Sequence, residues 1–330
     1  MGRGAGRSVI FVVGRADDAS VRFRVRQYVP YLRSRGWDPV IVETAVPLVE
    51  RLRRLRQSAG YDRVVVHRVL LPPLEAALLR ASSGGYVFDF DDALMVRDSS
   101  RAEQRSWQRR GSLRRMIRGA RTVVAGNRHL ADWAAPLHSS VHVVPTVLEL
   151  DEYPAKPPAE IAPPTIGWIG TRTNLLFLRD ILPALARALC VRPDARFEVV
   201  SDAPLESREV GIVNTRWSPA GEAAALRRFA VGIMPLRDDP WTRGKCGTKI
   251  LQYFASWLPV VCSPVGTNRE LVTEGENGHF AASEDEWVER LTTLVDDAET
   301  RRRLGTAGRR RVEGRYTVLG NLDAFLQTLE

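Results

Sequence analysis

Short apolar runs alternate with segments of helical spacing along the first half of the chain. The runs are rich in valine and short enough to be buried strands. They predict six strands, at residues 9–13, 38–43, 61–67, 86–91, 121–125 and 141–145. Helical spacing occurs at 27–35 and 74–80, and residues 15–22 are interpreted as a polar loop. Strands that alternate with helices predict a parallel sheet covered on both faces.

The same pattern restarts after a proline-rich interruption between residues 150 and 164. Strands are predicted at 165–169, 196–200, 231–235 and 259–262, and helices at 175–189, 223–229 and 249–256. The predicted fold class is therefore α/β, with two Rossmann-like parallel-sheet domains that face each other across a cleft. We predict a first domain at 1–153, a linker at 154–164, a second domain at 165–312 and an amphipathic C-terminal helix within 313–330.

The cysteines and the longest apolar runs restrict the class of protein. The three cysteines are far apart and form no C-x-x-C pair, so neither a disulfide framework nor a structural zinc site is expected. No stretch approaches the ~20 apolar residues of a membrane helix. We therefore expect a cytoplasmic protein, either soluble or peripheral at the inner face of the membrane.

The net charge of +9 raises the question of a nucleic-acid or membrane partner. Only three of the 48 basic residues are lysine, and the arginines are spread over the whole chain, so no nucleic-acid partner is predicted. Two denser clusters, at 51–56 and 105–121, place arginines beside apolar residues on predicted helices. A solvated helix face is the favoured interpretation, and contact with an acidic membrane surface is the alternative.

Two common nucleotide-binding classes are excluded by their missing glycine motifs. A dinucleotide fold requires G-x-G-x-x-G directly after a strand, whereas only Gly14 and Gly170 follow the first strands of the two domains. The chain also contains no G-x-x-x-x-G-K-[ST] phosphate loop.

The most informative loop is formed by residues 235–249, between a predicted strand and a predicted helix. It contains Gly244 and Gly247, together with two of the three lysines of the chain, Lys245 and Lys249. Free amide groups at a helix start attract anions. A lysine at that position opposes the helix dipole, so a structural role is disfavoured. The loop is therefore predicted to bind an anion such as a phosphate.

Two further loops of the second domain have the same strand–glycine–helix pattern. Residues 170–174 contain Gly170 and Arg172, and residues 263–270 contain Gly266. The guanidinium of Arg172 can bind a diphosphate through two hydrogen bonds. Ligands of such sheets bind beyond the carboxyl ends of the strands, so the three loops together predict a pocket for an anionic ligand.

An ordered series of motifs then gives the chain a family resemblance. It resembles retaining GT-B glycosyltransferases of the family 4 type over nearly its whole length. The matching segments of the second domain include GKCGTKILQY at 244–253, with others at 166–170, 217–222, 232–236, 259–270, 275–278 and 286–287. Those of the first domain are 22–25, 89–92, 126–127 and 144–146.

The resemblance implies a function for each domain. The second would hold a nucleotide-sugar donor, a GDP-, UDP- or dTDP-sugar, and the first a small-molecule or carrier-bound acceptor. The sugar would be transferred with retention of configuration. The last helix would cross back to the first domain.

The resemblance also implies roles for individual residues. The cations that stabilise the leaving diphosphate would be Arg172, Lys245 and Lys249. The other donor contacts would be Gly170, Thr171, Trp217, Gly247, Thr248, Gln252, Gly266, Thr267, Asn268 and Glu270. The acceptor contacts would be Arg22, Arg24, Asp91, Asp92 and Asn127.

The chain departs from the family pattern at a pair of glutamates spaced eight residues apart. Gly244 and Gln252 occupy those positions. A non-catalytic protein that binds sugar nucleotides or glycans is therefore the alternative to an enzyme. No metal and no cofactor are expected, because the arginine and lysines already neutralise a diphosphate. A magnesium site at Asp89, Asp91 and Asp92 is the less favoured interpretation.

Overall fold

The chain forms two units in the computed structural model, which describes residues 7–160 and 162–330. The first unit contains the described residues up to Val147 together with Arg243–Cys246 and Val318–Glu330. The second contains Leu148–Thr242 and Gly247–Thr317. The predicted boundary at 312/313 falls inside a helix, and residues 243–246, predicted in the second domain, belong to the first unit.

A six-stranded parallel sheet forms the centre of the first unit, in the order β2-β1-β3-β4-β5-β6. Its strands are β1 Arg7–Val13, β2 Trp37–Glu43, β3 Arg63–His67, β4 Val87–Phe90, β5 Thr122–Ala125 and β6 Val141–Val143. Its helices are α1 Ala19–Arg24, α2 Val29–Ser34, α3 Leu48–Gln57, α4 Pro73–Ser83, α5 Trp107–Gly119, α6 Arg128–Ala134 and α14 Val318–Gln327. The 3-10 turns are Arg26–Tyr28, Ser58–Gly60 and Thr242–Gly244, the last of which begins one residue before Arg243–Cys246.

A second six-stranded parallel sheet forms the centre of the second unit, in the order β12-β11-β10-β7-β8-β9. Its strands are β7 Thr165–Ile169, β8 Arg196–Ser201, β9 Ile212–Arg216, β10 Val231–Met234, β11 Val260–Cys262 and β12 Gly278–Phe280. Its helices are α7 Leu175–Asp180, α8 Leu182–Val191, α9 Glu222–Leu226, α10 Thr248–Ala255, α11 Asn268–Leu271, α12 Glu284–Asp296 and α13 Ala298–Arg315. Two 3-10 turns, Leu150–Glu152 and Arg172–Asn174, complete it. The predicted α/β class with two parallel sheets is confirmed.

Several elements differ from the sequence prediction for identifiable reasons. The predicted helix at 175–189 is broken into α7 and α8, because Pro183 has no amide hydrogen and can stand only in the first turn of a helix. Pro30 limits α2 in the same way. The predicted loop at 15–22 contains the start of α1. Four elements, α6, α12, β9 and β12, were not predicted from the sequence pattern.

The core of the first unit includes its C-terminal helix. Val318, Leu322 and Phe325 of α14 lie on one side of that helix and are buried against the sheet cluster. The Phe325 ring stacks on Tyr28 with their centroids 4.4 Å apart. The apolar side of α14 is therefore buried in the core of the first unit, although this helix is far in sequence from the strands β1 to β6.

We expect Phe325→Ala to destabilise the first unit by about 3–5 kcal/mol, because it removes a buried ring and leaves a cavity. Thermal unfolding followed by circular dichroism measures the effect. Leu319→Ala on the same helix is the matched control, since Leu319 is 65% exposed and should change stability by no more than about 0.5 kcal/mol. Equal midpoints for the two variants would contradict the packing of α14 described above.

Candidate functional site

The strand order of the second sheet reverses beside β7. The chain runs from β7 to β8 and β9 on one side, then returns to place β10 and β11 on the other. Connections that leave in opposite directions open a crevice at the carboxyl ends of the adjacent strands, where ligands of such sheets bind. The three loops predicted to bind an anion follow β7, β10 and β11, which are neighbours in the sheet. The topology therefore places them at one edge.

Lys249 lies directly against the loop that follows β7. Its Nζ atom is 5.4 Å from the centroid of the Trp168 ring, a distance at which the ammonium is attracted to the face of the ring. A Cβ atom at residue 170 would stand 2.6 Å from Cε of Lys249. Only glycine at position 170 therefore leaves room for the lysine in this position.

The start of α10 presents amide groups at the same edge. Gly247 precedes the helix with φ of 68° and has no side chain with which to cap the first-turn amides. A Cβ at this residue would stand 2.3 Å from Cδ1 of Leu271. The close contact and the left-handed backbone both require glycine here. Thr248 and Lys249 then form the first helical positions, where an anion is favoured.

Arg172 is exposed in the 3-10 turn that follows Gly170. Its backbone amide donates to Oδ1 of Asp202 at 2.6 Å. Thr171 Oγ1 accepts a hydrogen bond from Asn174 Nδ2 at 2.9 Å. These contacts hold the backbone of the loop and leave the Arg172 guanidinium at the surface, close in sequence to the Gly170–Lys249 contact.

The loop after β11 is closed by its own side chains. Asn268 is 1% exposed and donates through Nδ2 to the carbonyl of Ser263 at 3.0 Å, so its amide is structural. Gly266 has φ of 52°. Thr267 is the buried N-cap residue of α11, and Glu270 is exposed. Of the four predicted donor contacts in this loop, Gly266 and Glu270 have the most surface available to a ligand.

The two remaining predicted donor contacts differ in their surroundings. Trp217 is half-buried, and its indole nitrogen donates to Oε2 of Glu222 at 2.9 Å. Gln252 lies inside α10 and is 5% exposed. Its amide therefore has little surface with which to bind a ribose.

Lys245 lies in the short segment of the first unit, Arg243–Cys246. Asn127 holds this segment, because its Nδ2 donates to the carbonyls of Gly244 at 3.0 Å and Lys245 at 3.2 Å. The Asn127 oxygen accepts from the amide of Leu130 and caps α6. Asn127 is 3% exposed, so these contacts give it a structural role in place of the predicted contact with an acceptor.

Asp91 and Asp92 follow β4 and are held by a residue that the sequence analysis did not select. Arg68 Nη2 lies 3.0 Å from Oδ2 of Asp92, and Arg68 Nε lies 3.4 Å from Oδ1 of Asp91. Arg68 has φ of 59°, a conformation that costs a non-glycine residue about 1–3 kcal/mol and is concentrated at functional sites. Burial lowers the pKa of Arg68, but Asp91 and Asp92 raise it by more, so the net shift is upward.

Arg24 is fully buried, which overturns its predicted contact with an acceptor. Its guanidinium forms an ion pair with Asp89 and donates from Nη1 to the carbonyl of Val144 at 2.6 Å. Burial raises the pKa of Asp89, but Arg24 and His67 outweigh it and lower the pKa to about 2. Arg22 is half-buried, with Cζ 4.9 Å from the centroid of the Phe23 ring.

A hydrogen-bonded chain runs from Asp89 towards the surface through His67 and Ser20. Oδ2 of Asp89 lies 2.6 Å from Nδ1 of His67, and Nε2 of His67 lies 3.0 Å from Oγ of Ser20. In the neutral imidazole, the carboxylate fixes the proton on Nδ1, so Nε2 accepts the Ser20 hydroxyl hydrogen. Ser20 is half-buried. Its oxygen is therefore left to accept a hydrogen bond from a ligand hydroxyl.

The hydrogen-bonded series Asp89–His67–Ser20 lies where the strand order of the first sheet reverses. Ser20 follows β1 and His67 ends β3, and these adjacent strands flank the reversal point. Ser20, His67 and Arg68 were not predicted as site residues from the sequence, because no short motif joins them. The available signal was that Ser20 belongs to the segment after β1, that His67 ends β3 and that Arg68 follows it.

Neither thiol chemistry nor a metal cluster is supported at this edge. Cys246 is buried, and its thiol donates to the carbonyl of Asp91 at 3.2 Å. Burial is the main cause that raises the pKa of this thiol, and the negative charge of Asp91 raises it further. Over residues 7–160 and 162–330, no three His, Cys, Asp or Glu side chains are grouped to hold a metal ion.

Comparison with known proteins finds a family similarity in the second unit. Residues 163–297 match the family model described as glycosyl transferases group 1, a span that contains all six strands of the second sheet. The match supports the predicted class of enzyme, a glycosyltransferase. No curated protein sequence matches the chain.

Solved structures share the fold over nearly the whole chain. Anabaena HepE in complex with UDP and glucose has a TM-score of 0.75 at 13% identity, covering 97% of this chain and 98% of that chain. Sucrose-phosphate synthase from Thermosynechococcus elongatus has a TM-score of 0.70 at 14% identity, and the match covers 98% of this chain and 100% of that chain. A glycosyltransferase from Rickettsia africae has a TM-score of 0.69 at 13% identity, and the match covers 99% of this chain and 100% of that chain. These similarities confirm the GT-B fold.

A bilayer-spanning helix is not found among the described residues, since each helix is too short or too polar for that role.

We expect Asp89→Asn to destabilise the protein by about 3–5 kcal/mol, because it leaves the buried guanidinium of Arg24 without a counter-charge. Thermal unfolding at neutral pH measures the loss. Asp132→Asn is the control, since Asp132 is exposed on α6. A loss below about 1 kcal/mol for Asp89→Asn would show that the ion pair does not hold the first unit together.

The same pair predicts the acid sensitivity of the wild-type protein. The folded pKa of Asp89 is lowered from 3.8 to about 2, so its stabilising contribution is complete above the unfolded pKa. It is lost as the pH falls from about 4 to about 2, and it amounts to about 2 kcal/mol. Unfolding measured across this range should show that loss in wild type and not in Asp89→Asn.

Proposed function

We propose that the protein is an enzyme that transfers a sugar from a nucleoside-diphosphate sugar to an acceptor hydroxyl. The single observation that carries the proposal is the contact between Lys249, Gly170 and Trp168 beside the start of α10, which follows Gly247. That contact gathers a cation and helix amides at the strand-reversal point of the unit that matches the glycosyltransferase model.

The donor diphosphate binds at this edge in our proposal. Lys249 is half-buried against an indole, so its charge is less screened than that of an exposed lysine. The first-turn amides of α10 bind phosphate oxygens, and the exposed guanidinium of Arg172 provides a bidentate contact. Because the HepE structures contain UDP and UDP-glucose, a uridine nucleotide is the first donor to test.

The chemical step needs charge stabilisation at the leaving group. Lys249 and Arg172 stabilise the negative charge that develops on the departing diphosphate. These cations supply the neutralisation that a metal ion provides elsewhere, so we propose a metal-independent reaction. Retention of configuration follows if the departing phosphate oxygen accepts the proton of the acceptor on the same face of the sugar.

The acceptor is proposed to bind at the carboxyl edge of the first sheet. Ser20 donates its hydrogen to His67 and therefore accepts from a hydroxyl of the ligand, which orients that hydroxyl. Asp91 and Asp92, fixed by Arg68, provide further acceptors of hydrogen bonds. The acceptor is a small molecule or a carrier-bound sugar. A reducing cytoplasmic location is supported by the three free thiols, at Cys190, Cys246 and Cys262.

We expect Lys249→Ala to reduce turnover by about 10²–10³-fold, the usual effect of removing one charge-stabilising group. Release of nucleoside diphosphate from a panel of sugar nucleotides measures turnover. Lys156→Ala is the matched control, because Lys156 is exposed within the predicted linker. Turnover within three-fold of wild type in a folded Lys249→Ala protein would refute the role of Lys249.

Binding of the nucleotide should be measured separately from turnover. A nucleoside diphosphate at 100 times its dissociation constant should add about 2.7 kcal/mol of stability. Tight binding without transfer or hydrolysis of any donor would favour a non-catalytic sugar-nucleotide-binding protein. That alternative is supported by Gly244 and by the buried Gln252 at the family's glutamate positions.

We expect Ser20→Ala to lower kcat/KM for the acceptor by about 3–10-fold, the value of one neutral hydrogen bond. Slow hydrolysis of the donor by water should be unchanged, because it does not use the acceptor contact. Ser20→Thr should restore part of the loss, and Ser34→Ala, at an exposed serine of α2, should have no effect. Equal losses in transfer and hydrolysis would show that Ser20 has only a structural role.

A further inference from the structure

Three neighbouring helices of the first unit begin at the same edge of its sheet. α3, α4 and α5 lead into the parallel strands β3, β4 and β5, so each starts at the carboxyl edge. α3 packs against α4, and α4 packs against α5. The three helices therefore form one continuous layer, with their first turns side by side.

The first turns of this layer expose large apolar side chains. Val49 is 81% exposed, Leu74 85% and Trp107 82%, and Leu48 is also exposed. These four make up half of the eight exposed large apolar side chains among the described residues. We call them the apolar edge. Scattered exposed apolar residues are ordinary, but a row on adjacent helix ends marks a contact surface.

Arginines outnumber acidic residues beside the Trp107 end of the apolar edge, whereas three arginines of α3, Arg51, Arg53 and Arg54, are paired with Glu50 and Glu75. Between Glu103 and Asp132 the chain has eight arginines and no acidic residue. Arg110, Arg114 and Arg118 follow Trp107 at three, seven and eleven residues, so they share its face of α5. Three further arginines, Arg97, Arg101 and Arg109, line a hollow close to Trp107 in sequence, together with one acidic residue, Asp98.

A groove between α4 and α5 joins the apolar edge to the arginines. It has a volume of about 890 Å³ and includes Pro73 and Gly111, which lie near Leu74 and Trp107 in sequence. Small residues such as Ala77 and Ala81 line it together with Arg80, Arg114 and Arg118. Its lining contains no acidic side chain, so it is suited to an anionic group that carries an apolar chain.

We propose that the apolar edge and the α4–α5 groove dock on a membrane surface of anionic phospholipid. Trp107, Leu74 and Val49 enter the boundary between headgroups and acyl chains, while the arginines contact the phosphates. A nucleic acid would neutralise the same arginines but would leave the leucine and valine side chains in water. The apolar edge therefore favours a lipid surface. The docking does not depend on the proposed transfer reaction.

The full-length protein should float with vesicles of phosphatidylglycerol and phosphatidylcholine, and not with phosphatidylcholine alone. Each neutralised arginine is expected to weaken binding by about five-fold. The double variant Arg114→Glu, Arg118→Glu should therefore bind at least 25-fold more weakly. Arg208→Glu combined with Arg310→Glu is the matched control, since both arginines are exposed in the second unit and their replacement makes the same change in net charge.

The apolar contribution is tested with Trp107→Ser combined with Leu74→Ser. This variant should lose about ten-fold or more in binding at physiological salt, because it removes two side chains that become buried in the lipid. Leu319→Ser is its control. Both substituted side chains are exposed, and unchanged thermal unfolding verifies that the variant folds.

Three outcomes would overturn the proposal. One is equal binding to neutral and anionic vesicles. Another is an equal loss in the charge control and in the Arg114→Glu, Arg118→Glu variant, which would indicate net charge alone. The third is tight, salt-dependent binding to single-stranded RNA without vesicle flotation, which would assign the arginines to a nucleic acid.

Discussion

The reversal of strand order beside the first strand of each sheet is the constraint on which the two candidate sites depend. Parallel strands end at one edge, and connections that leave in opposite directions cannot cover that edge completely. In the second unit the uncovered region contains Gly170, Lys249 and the start of α10. In the first it contains Ser20 and the end of β3. The position of each uncovered region follows from the order of the strands and does not depend on which residues line it.

Charge is distributed differently at the two edges. In the second unit, Lys249 and Arg172 stay near the surface, where an anion can reach them. In the first, Arg24 and Asp89 are buried and neutralise each other, and they fix the orientation of His67. A buried pair of this kind is costly to break and is poorly placed to bind a ligand. In the proposed function, the pair acts indirectly, because it orients His67, which is hydrogen-bonded to the Ser20 hydroxyl.

The proposed membrane contact would bring the edge at which we propose acceptor binding to the lipid surface. The apolar edge and Ser20 both lie at the carboxyl edge of the first sheet, because α3, α4 and α5 begin there and β1 ends there. A carrier-bound acceptor anchored in the membrane would therefore be presented towards the same edge that holds the Ser20–His67–Asp89 chain.

Sequence patterns predicted the parallel sheets and the glycine loops, because strand runs, turn glycines and helix starts are local signals. They also selected Lys249 by its rarity among arginines. They did not separate Arg24 and Asn127, which are buried and structural, from residues at the surface, since burial depends on the packing of distant elements. Pro30 and Pro183 were visible in the sequence, yet the helix breaks they cause were overlooked in favour of apolar spacing.

The sequence by itself determined the α/β class, the two-sheet organisation and the positively charged, glycine-rich loops, because each of these depends on neighbouring residues. Only the tertiary structure decided that Ser20, His67 and Asp89 are joined, although they are 47 and 22 residues apart. It also decided that residues 243–246 belong to the first unit and that three helices begin side by side. These features depend on strand order and packing, which no local pattern encodes.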